Sequence, residues 1–230
     1  MNGTPDKPGT DERRRTLRRR RVPLIAAIAL LLAGGLLLAL GTSRQQPAPP
    51  PAANKGGPAA ATPADPRTEP PSGAPRAEAL PSSRPVSITI PSLKVTSDLE
   101  QLGLGKDRAM ETPKDPAKAG WYRPGVTPGA LGPSVIAGHV TWDGAPAVFF
   151  ELTELEPGDR IDVRRADGTT AVFTVERTAV YPKDAFPTVE VYRNLDHAGL
   201  RLITCGGDYS QADSRYADNV VVYAALTGQT

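Results

Sequence analysis

The sequence predicts an all-β domain, a barrel or a sandwich, over residues 85–230. In this range the apolar residues form many short runs rich in Val, Ile, Leu and Tyr, and Gly, Pro, Asp and Ser separate these runs. Helical periodicity is scarce over the same range. The dipeptide Asp167-Gly168 lies between two β-type runs and is typical of a hairpin turn.

The elements of this domain follow from the same patterns, taken in chain order. Predicted strands are residues 86–90, 134–140, 160–165, 170–178, 200–205 and 219–226. Residues 107–129 are dense in Pro and Gly and are predicted to form a long loop, which Trp121-Tyr122 pins to the core. One or two helical turns are expected within residues 147–155, and an irregular connection over residues 180–192.

The basic residues of the chain are concentrated at its N-terminus. The formal charge of the 230 residues is only +2, which does not indicate a nucleic-acid partner. Residues 1–21, however, contain Lys7 and the clusters Arg13–Arg15 and Arg18–Arg21. Such an uneven charge is typical of a membrane-topology signal or of a tail that binds polyanions. We predict that residues 1–21 form a basic cytoplasmic segment.

Residues 22–42 follow directly and contain no ionisable side chain. At about 1.5 Å per residue, a helix of this length crosses the hydrocarbon core of a bilayer, which is about 30 Å thick. The preceding arginines orient it with the N-terminus in the cytoplasm. We therefore predict a transmembrane signal anchor. The alternative is a cleaved signal peptide, because Ala39-Leu40-Gly41 loosely resembles a cleavage site.

Residues 43–84 have a different composition, dominated by Pro, Ala, Gly, Ser and Thr. Such a segment buries too little apolar surface to offset the loss of chain entropy on folding. We predict a disordered linker, extended by its prolines to as much as about 3.1 Å per residue. It would hold residues 85–230 away from the bilayer.

The chain contains one cysteine, Cys205, at the end of the predicted strand 200–205, and a turn is expected at Gly206-Gly207. A single cysteine cannot form an internal disulfide. A free cysteine is commonly a small buried apolar residue, but an idle thiol outside the cell invites oxidation. We predict that Cys205 is a nucleophile, which requires a proton acceptor or a positive field nearby.

Two histidines and one arginine are candidates for that assistance. His139 lies at the end of a predicted strand, as Cys205 does, and follows a glycine that leaves space. His197 lies in a polar segment and is predicted to be solvated surface. Arg215 is the one Arg or Lys after Cys205 in the sequence, and it could stabilise negative charge developing on a carbonyl oxygen. Its alternative is a solvated loop arginine.

Metal and cofactor chemistry find little support in the sequence. Two distant histidines and one cysteine do not provide the ligand spacing of a zinc site. The Gly-Gly-Asp after Cys205 lacks the lysine and the helix of a phosphate-binding loop. We therefore expect no metal and no cofactor.

Six segments of the domain, from about Val86 onward, have a recognisable sequence. They are residues 90–93 (Ile-Pro-Ser-Leu), 119–122 (Ala-Gly-Trp-Tyr), 135–140, 181–187, 204–207 (Thr-Cys-Gly-Gly) and 216–224. In sequence and in order these segments resemble the sortases, which are membrane-anchored cysteine transpeptidases of Gram-positive bacteria, and in particular the class F sortases of actinobacteria.

The resemblance implies an eight-stranded sortase-type β-barrel with short helices, preceded by a single N-terminal transmembrane helix, with residues 85–230 as the catalytic domain. Cys205 would attack the Thr–Gly bond of a sorting signal of the Leu-Pro-X-Thr-Gly kind and form a thioacyl intermediate. His139 would protonate the leaving amine and deprotonate the incoming one. Arg215 would hold the substrate and its oxyanion, and Thr204 would line the site.

The implied partners are sorting-signal proteins and an amine acceptor from a peptidoglycan precursor or a pilin, with no nucleic acid. The implied location is the cell membrane, with one pass and an extracellular catalytic domain. Two other functions remain open. One is a cysteine peptidase that uses water as acceptor, and the other is a non-catalytic β-domain that binds the cell wall.

Overall fold

The structure is a computed structural model, and it describes residues 48–50, 75–106 and 108–230. Within these residues, eight strands close into a barrel. In chain order they are β1 (Pro85–Ile90), β2 (Val95–Leu102), β3 (Ala119–Tyr122), β4 (Gly132–Ala137), β7 (Arg160–Arg165), β8 (Thr170–Pro182), β9 (Ala198–Ser210) and β10 (Arg215–Gln229). The predicted all-β fold is confirmed as a barrel rather than a sandwich.

Shorter elements connect the barrel strands. A small hairpin is formed by β5 (Thr141–Trp142) and β6 (Ala145–Pro146), and a short helix, α1 (Thr188–Tyr192), lies between β8 and β9. Single 3-10 turns occupy Pro91–Leu93, Leu152–Glu154 and Lys183–Ala185.

The barrel closes in the order β1, β2, β3, β4, β9, β10, β8, β7. Among these described strands the pairs β2–β3 and β4–β9 are parallel, and the remaining neighbours are antiparallel. The β7–β8 hairpin turns at Asp167-Gly168 as predicted, with Gly168 at a φ of 88°. The parallel pair β4–β9 matters most for the site, because it brings the residues that follow β4 alongside Cys205 in β9.

Strands β9 and β10 are buried on both faces. Leu200, Leu202 and Val222 belong to the barrel interior, whereas the alternate residues Ile203 and Tyr223 face a second apolar cluster. Side chains alternate across a strand, so two buried faces require the nearly continuous apolar runs seen in these strands. The second cluster includes residues from the segment between β8 and β9, and this segment therefore covers the outside of the barrel.

Charged and aromatic side chains fix this covering segment. Arg177 of β8 lies 3.5 Å from the centroid of the Tyr223 ring and pairs with Glu190 of α1. Arg201 of β9 lies 4.5 Å from the centroid of the same ring. Burial lowers the pKa of Arg201 to about 10. The result is a rigid attachment of α1, and of the turn before it, to the sheet.

Three connections differ from the prediction. The predicted loop 107–129 contains β3, in which Trp121 is only 5% exposed, because pairing with β2 and β4 satisfies this backbone. The predicted irregular connection 180–192 begins as the end of β8 and contains α1. The helical turns expected within residues 147–155 reduce to one 3-10 turn. At residues 119–122 and 180–182, pairing with distant strands overrode the local turn residues.

Residues 75–84, which fall inside the predicted linker, contact the barrel. The Ala77 amide donates to the Leu226 carbonyl (2.9 Å), and the Leu80 amide donates to the Gly129 carbonyl (2.8 Å). The buried Arg165 guanidinium donates to the Pro81 carbonyl. The ordered structure therefore begins before Pro85.

The predicted basic segment 1–21 and the predicted anchor 22–42 lie outside the described residues. Among the residues that are described, no helix has both the length and the apolarity to cross a bilayer.

The contacts of residues 75–84 generate a first prediction. Leu80→Ala should lower the free energy of unfolding by about 1.5 kcal/mol, because Leu80 packs against the barrel core while remaining partly exposed. Leu131→Ala is the matched control, since Leu131 is 60% exposed and its truncation should change stability by less than about 0.5 kcal/mol. Urea denaturation measures both values. Equal values for the two variants would contradict the docking of this segment.

Candidate active site

Cys205 lies within β9, directly across from Asn219 on β10, and its side chain is half-buried. The turn predicted at Gly206-Gly207 is wrong, because β9 continues to Ser210. A β-bulge occupies this place: Gly207 has a φ of 73°, and the register of β9 against β10 shifts there. The strand therefore bends directly after the thiol.

His139 leaves β4 at the same rim of the barrel. Strands β4 and β9 are parallel neighbours with Ala137 opposite Ile203, so the chain reaches residues 139 and 205 side by side. The Gly138 amide donates to the Ile203 carbonyl at 3.1 Å and extends this pairing beyond the end of β4. The structure therefore brings the predicted base and the predicted nucleophile together.

Thr204 is buried beneath this junction, at 4% exposure. Its hydroxyl donates to the Gly138 carbonyl at 2.8 Å and links the residue before His139 to the residue before Cys205. This contact stabilises the relative position of the two strand ends. The contact of Thr204 with substrate remains a prediction.

A cleft of about 520 Å³ opens at this rim, and we call it the rim cleft. Its lining includes His139, Trp142, Lys183, Cys205, Arg215 and Tyr216. All three predicted catalytic residues thus line one cleft. Arg215 is the first residue of β10, pairs with Ser210 across the β9–β10 hairpin and is exposed. Its guanidinium is therefore accessible to a ligand at the edge of the cleft.

The β5–β6 hairpin covers one side of the rim cleft. Asp143 (φ 47°) and Gly144 (φ 78°) both have positive φ values, as a type I′ turn requires. The exposed Trp142 meets the His139 ring edge-on, with 4.9 Å between ring centroids. The sequence analysis missed this hairpin, although its Asp-Gly dipeptide is the local signal that predicts one.

Tyr216 connects that hairpin to β10. Its hydroxyl and that of Thr141 are 2.8 Å apart, and its ring lies 5.0 Å from the Tyr209 ring. Burial raises the pKa of Tyr216 above its ordinary value, so the phenol stays neutral. The hairpin that carries Trp142 is thereby attached to the strand that carries Arg215.

Lys183 contacts the Cys205 thiol and was not predicted as a site residue from the sequence. Its ammonium group donates to Cys205 Sγ at 3.5 Å. Pro182 pairs with Asp218, and Asp218 pairs with Gly206, so these three residues form a row across β8, β10 and β9. Lys183 directly follows this row. No local signal marks it, because its position depends on the register of three strands.

The His139 ring makes a hydrogen bond through Nε2, the ring nitrogen farther from its own backbone. Its Nε2 lies 2.8 Å from the carbonyl oxygen of Pro113, in the connection between β2 and β3. A carbonyl oxygen only accepts, so this bond requires a proton on Nε2. Nδ1 is then the ring nitrogen that remains for proton exchange.

His197 lies at the opposite end of β9. Cys205 is eight residue steps further along the chain, a distance of roughly 26 Å in extended backbone. Its side chain is only 9% exposed, so the prediction of solvated surface is wrong. It contacts Asp196 at 2.7 Å, and this hydrogen bond lowers the pKa of the Asp196 carboxyl. His197 therefore has no access to the rim cleft.

The charges of the rim cleft are predominantly positive. Among the described lining residues, Lys183 and Arg215 are cationic and Asp143 is acidic. Such a field favours an oxyanion, the negative charge that develops on a carbonyl oxygen during acyl transfer. Within the described ranges, no three His, Cys, Asp or Glu side chains are grouped as a metal site.

Known proteins similar to this chain include several sortases. A family model described as the sortase domain matches residues 88–227. Sortase A of Listeria monocytogenes is 21% identical, with a TM-score of 0.49, over 65% of this chain and 90% of its own. The sortase of Actinomyces oris is 22% identical, with a TM-score of 0.49, over 68% and 87%. No curated protein sequence matches the chain significantly.

The contact between Lys183 and Cys205 leads to a prediction about thiol reactivity. Lys183→Met keeps the length of the side chain but removes the ammonium group that contacts Sγ and that would assist the reacting sulfur. We expect alkylation of Cys205 by iodoacetamide near neutral pH to slow about fivefold. Because the chain has one cysteine, the mass of the intact protein reports Cys205 directly. Lys118→Met, at a lysine beside Asp115, is the control and should leave the rate unchanged; equal rates for both variants would contradict the prediction.

Proposed function

The chain belongs to the sortase family of cysteine transpeptidases, and from this premise we propose that Cys205, His139 and Arg215 carry out its reaction. The observation that carries this proposal is the rim cleft, in which His139 just after β4, Cys205 within β9 and Arg215 at the start of β10 meet. Lys183 is a fourth participant, through its contact with Sγ.

In the first half of the reaction, Cys205 attacks as a thiolate. Sγ adds to the carbonyl carbon of the scissile bond, and the C–N bond to the leaving amine then breaks. His139, as an imidazolium, gives the proton on Nδ1 to that amine nitrogen, while Nε2–H stays on the Pro113 carbonyl. The products are a thioester on Cys205, a free amine and a neutral imidazole.

In the second half, an acceptor amine attacks the thioester carbonyl carbon. The new C–N bond forms, the C–S bond breaks, and the amine gives a proton to Nδ1 of His139. This step restores the thiolate and the imidazolium. The Lys183 ammonium stabilises the returning thiolate in the same way as it stabilised the attacking one.

Arg215 stabilises the oxyanion in this mechanism. Each half-reaction passes through a tetrahedral intermediate that places negative charge on the former carbonyl oxygen. The planar guanidinium presents several N–H donors in a fixed fork, which suits an oxyanion together with an adjacent peptide carbonyl. Its exposed position at the edge of the rim cleft supports this role.

The substrate that we propose is a sorting signal of the Leu-Pro-X-Thr-Gly kind. A groove of about 1040 Å³ beside the rim cleft, here called the side groove, shares Lys183 with it. Its lining includes Val126, Val135, Phe186, Tyr192 and Asn219. A largely apolar groove next to the cleft that contains the thiol suits the Leu-Pro end of such a peptide.

We further assign the chain to class F, on the sequence segments that resemble that class. Two of these segments supply the surroundings of the thiol. Residues 181–187 contribute Lys183 and Phe186 to the clefts, and residues 204–207 contribute Cys205 and the glycines of the bulge.

The cellular setting is proposed from the remainder of the sequence. Residues 1–21 form a basic cytoplasmic segment, residues 22–42 the transmembrane anchor and residues 43–84 the linker. Residues 85–230 form the extracellular catalytic domain, which the docked residues 75–84 extend. Its partners are sorting-signal proteins and an amine of a peptidoglycan precursor or of a pilin.

The decisive experiment follows the products of a peptide library that varies around Leu-Pro-X-Thr-Gly. With an added amine we expect a mass corresponding to the peptide cleaved after Thr and joined to that amine. Cys205→Ala should give no product, because no thioester can form. A wild-type protein that yields only the hydrolysed peptide at saturating amine would contradict transpeptidation and favour a peptidase.

The two histidines provide an internal comparison. His139→Ala should lower kcat by about 10³-fold through loss of the proton donor and acceptor. His197→Ala should leave kcat within about twofold, because its side chain lies at the other end of β9. The same peptide assay measures both variants. Similar losses in the two would overturn the role of His139.

A further inference from the structure

The His139 ring is held by a main-chain oxygen, and that oxygen is itself held in place. Pro113 is buried in the connection between β2 and β3, and its carbonyl receives Nε2–H at 2.8 Å. A loop carbonyl orients a catalytic imidazole only if the loop backbone is fixed. The residues after Pro113 show how it is fixed.

Both carboxylate oxygens of Glu100 accept backbone hydrogen bonds from this loop. Oε2 accepts from the Lys114 amide at 3.0 Å, and Oε1 accepts from the Asp115 amide at 3.1 Å. These are the two amides that directly follow the Pro113 carbonyl. Glu100 is in register with Gly120 in the β2–β3 pair, so the carboxylate is attached to the barrel itself.

We propose that Glu100 is a positioning residue for His139 and acts through the Pro113 carbonyl. This inference rests on the proposed function, in which His139 transfers the proton. Glu100 holds the loop amides, and the loop in turn holds the Pro113 carbonyl against Nε2. This series of hydrogen bonds keeps a proton on Nε2 in both charge states of the ring. It thereby reserves Nδ1 for exchange with the leaving and the incoming amine.

The same loop contains a matched control. Glu111 accepts from the Gly103 amide at 2.8 Å, so it too is a carboxylate that binds a backbone N–H of this connection. A backbone hydrogen bond from the Glu111 amide to the Gly103 carbonyl (3.0 Å) holds that end of the loop independently of the side chain. Neither bond involves Lys114, Asp115 or the Pro113 carbonyl.

The test compares Glu100→Gln with Glu111→Gln in the full-length protein. An amide in place of the Glu100 carboxylate keeps one acceptor and turns an NH₂ group toward the other backbone N–H. We expect kcat to fall about tenfold with KM unchanged, the effect of losing one hydrogen bond. Glu111→Gln should leave kcat unchanged. Glu100→Asp, one methylene too short to reach both amides, should reproduce the loss and serves if Glu100→Gln does not fold.

A second readout is independent of activity. The chain has two histidines, so ¹⁵N-histidine labelling gives a simple spectrum, and loss of a signal in His139→Gln assigns it. We expect a protected Nε2–H signal for His139 in the wild type and in Glu111→Gln, and its loss through exchange with water in both Glu100 variants.

The two readouts separate the possible failures. An inactive wild type with a protected Nε2–H signal would sink the proposed function but leave the anchoring of the ring intact. An absent Nε2–H signal in the wild type, or a folded Glu100→Gln protein with unchanged kcat or an unchanged signal, would overturn the positioning role.

Discussion

The parallel pairing of β4 with β9 is the constraint on which the site depends. Ala137 faces Ile203 across this pair, so the chain reaches His139 and Cys205 at the same rim. A slip of one residue would turn every side chain of one strand to the opposite face. The hydrogen bond from Thr204 to the Gly138 carbonyl opposes such a slip at the point where β4 ends, and the burial of both faces of β9 opposes it along the paired residues.

The space at this rim depends on two glycines, Gly138 and Gly206, which have no side chain. A Cβ at residue 138 would lie 2.6 Å from Phe149 Cδ2, and one at residue 206 would lie 2.6 Å from Val220 Cγ2. Glycine at these two positions lets the backbone approach its neighbours closely and still leaves the thiol half-buried beside an open cleft. A side chain at either position would therefore disturb both the packing of the core and the access of ligands to the Cys205 thiol.

The electrostatic character of the cleft is assembled from separate parts of the chain. Lys183 follows β8, Arg215 begins β10, and Cys205 belongs to the strand that pairs with β10. The Lys183 ammonium donates to the sulfur, Arg215 lines the same cleft, and the Pro113 carbonyl accepts a hydrogen bond from the His139 ring. The charges and hydrogen bonds around Cys205 therefore come from residues that are distant in the sequence.

Short-range patterns in the sequence determined the all-β class, the Asp167-Gly168 hairpin and the position of His139 near the end of a strand, because period-two burial and turn residues are local properties. They did not predict that β9 continues past Cys205 to Ser210. The Asp143-Gly144 turn carried an equally local signal. The tertiary structure alone decided that Lys183 contacts the sulfur and that Pro113 contacts the ring. Both contacts depend on register across several strands, and register arises from barrel closure between residues far apart in the chain.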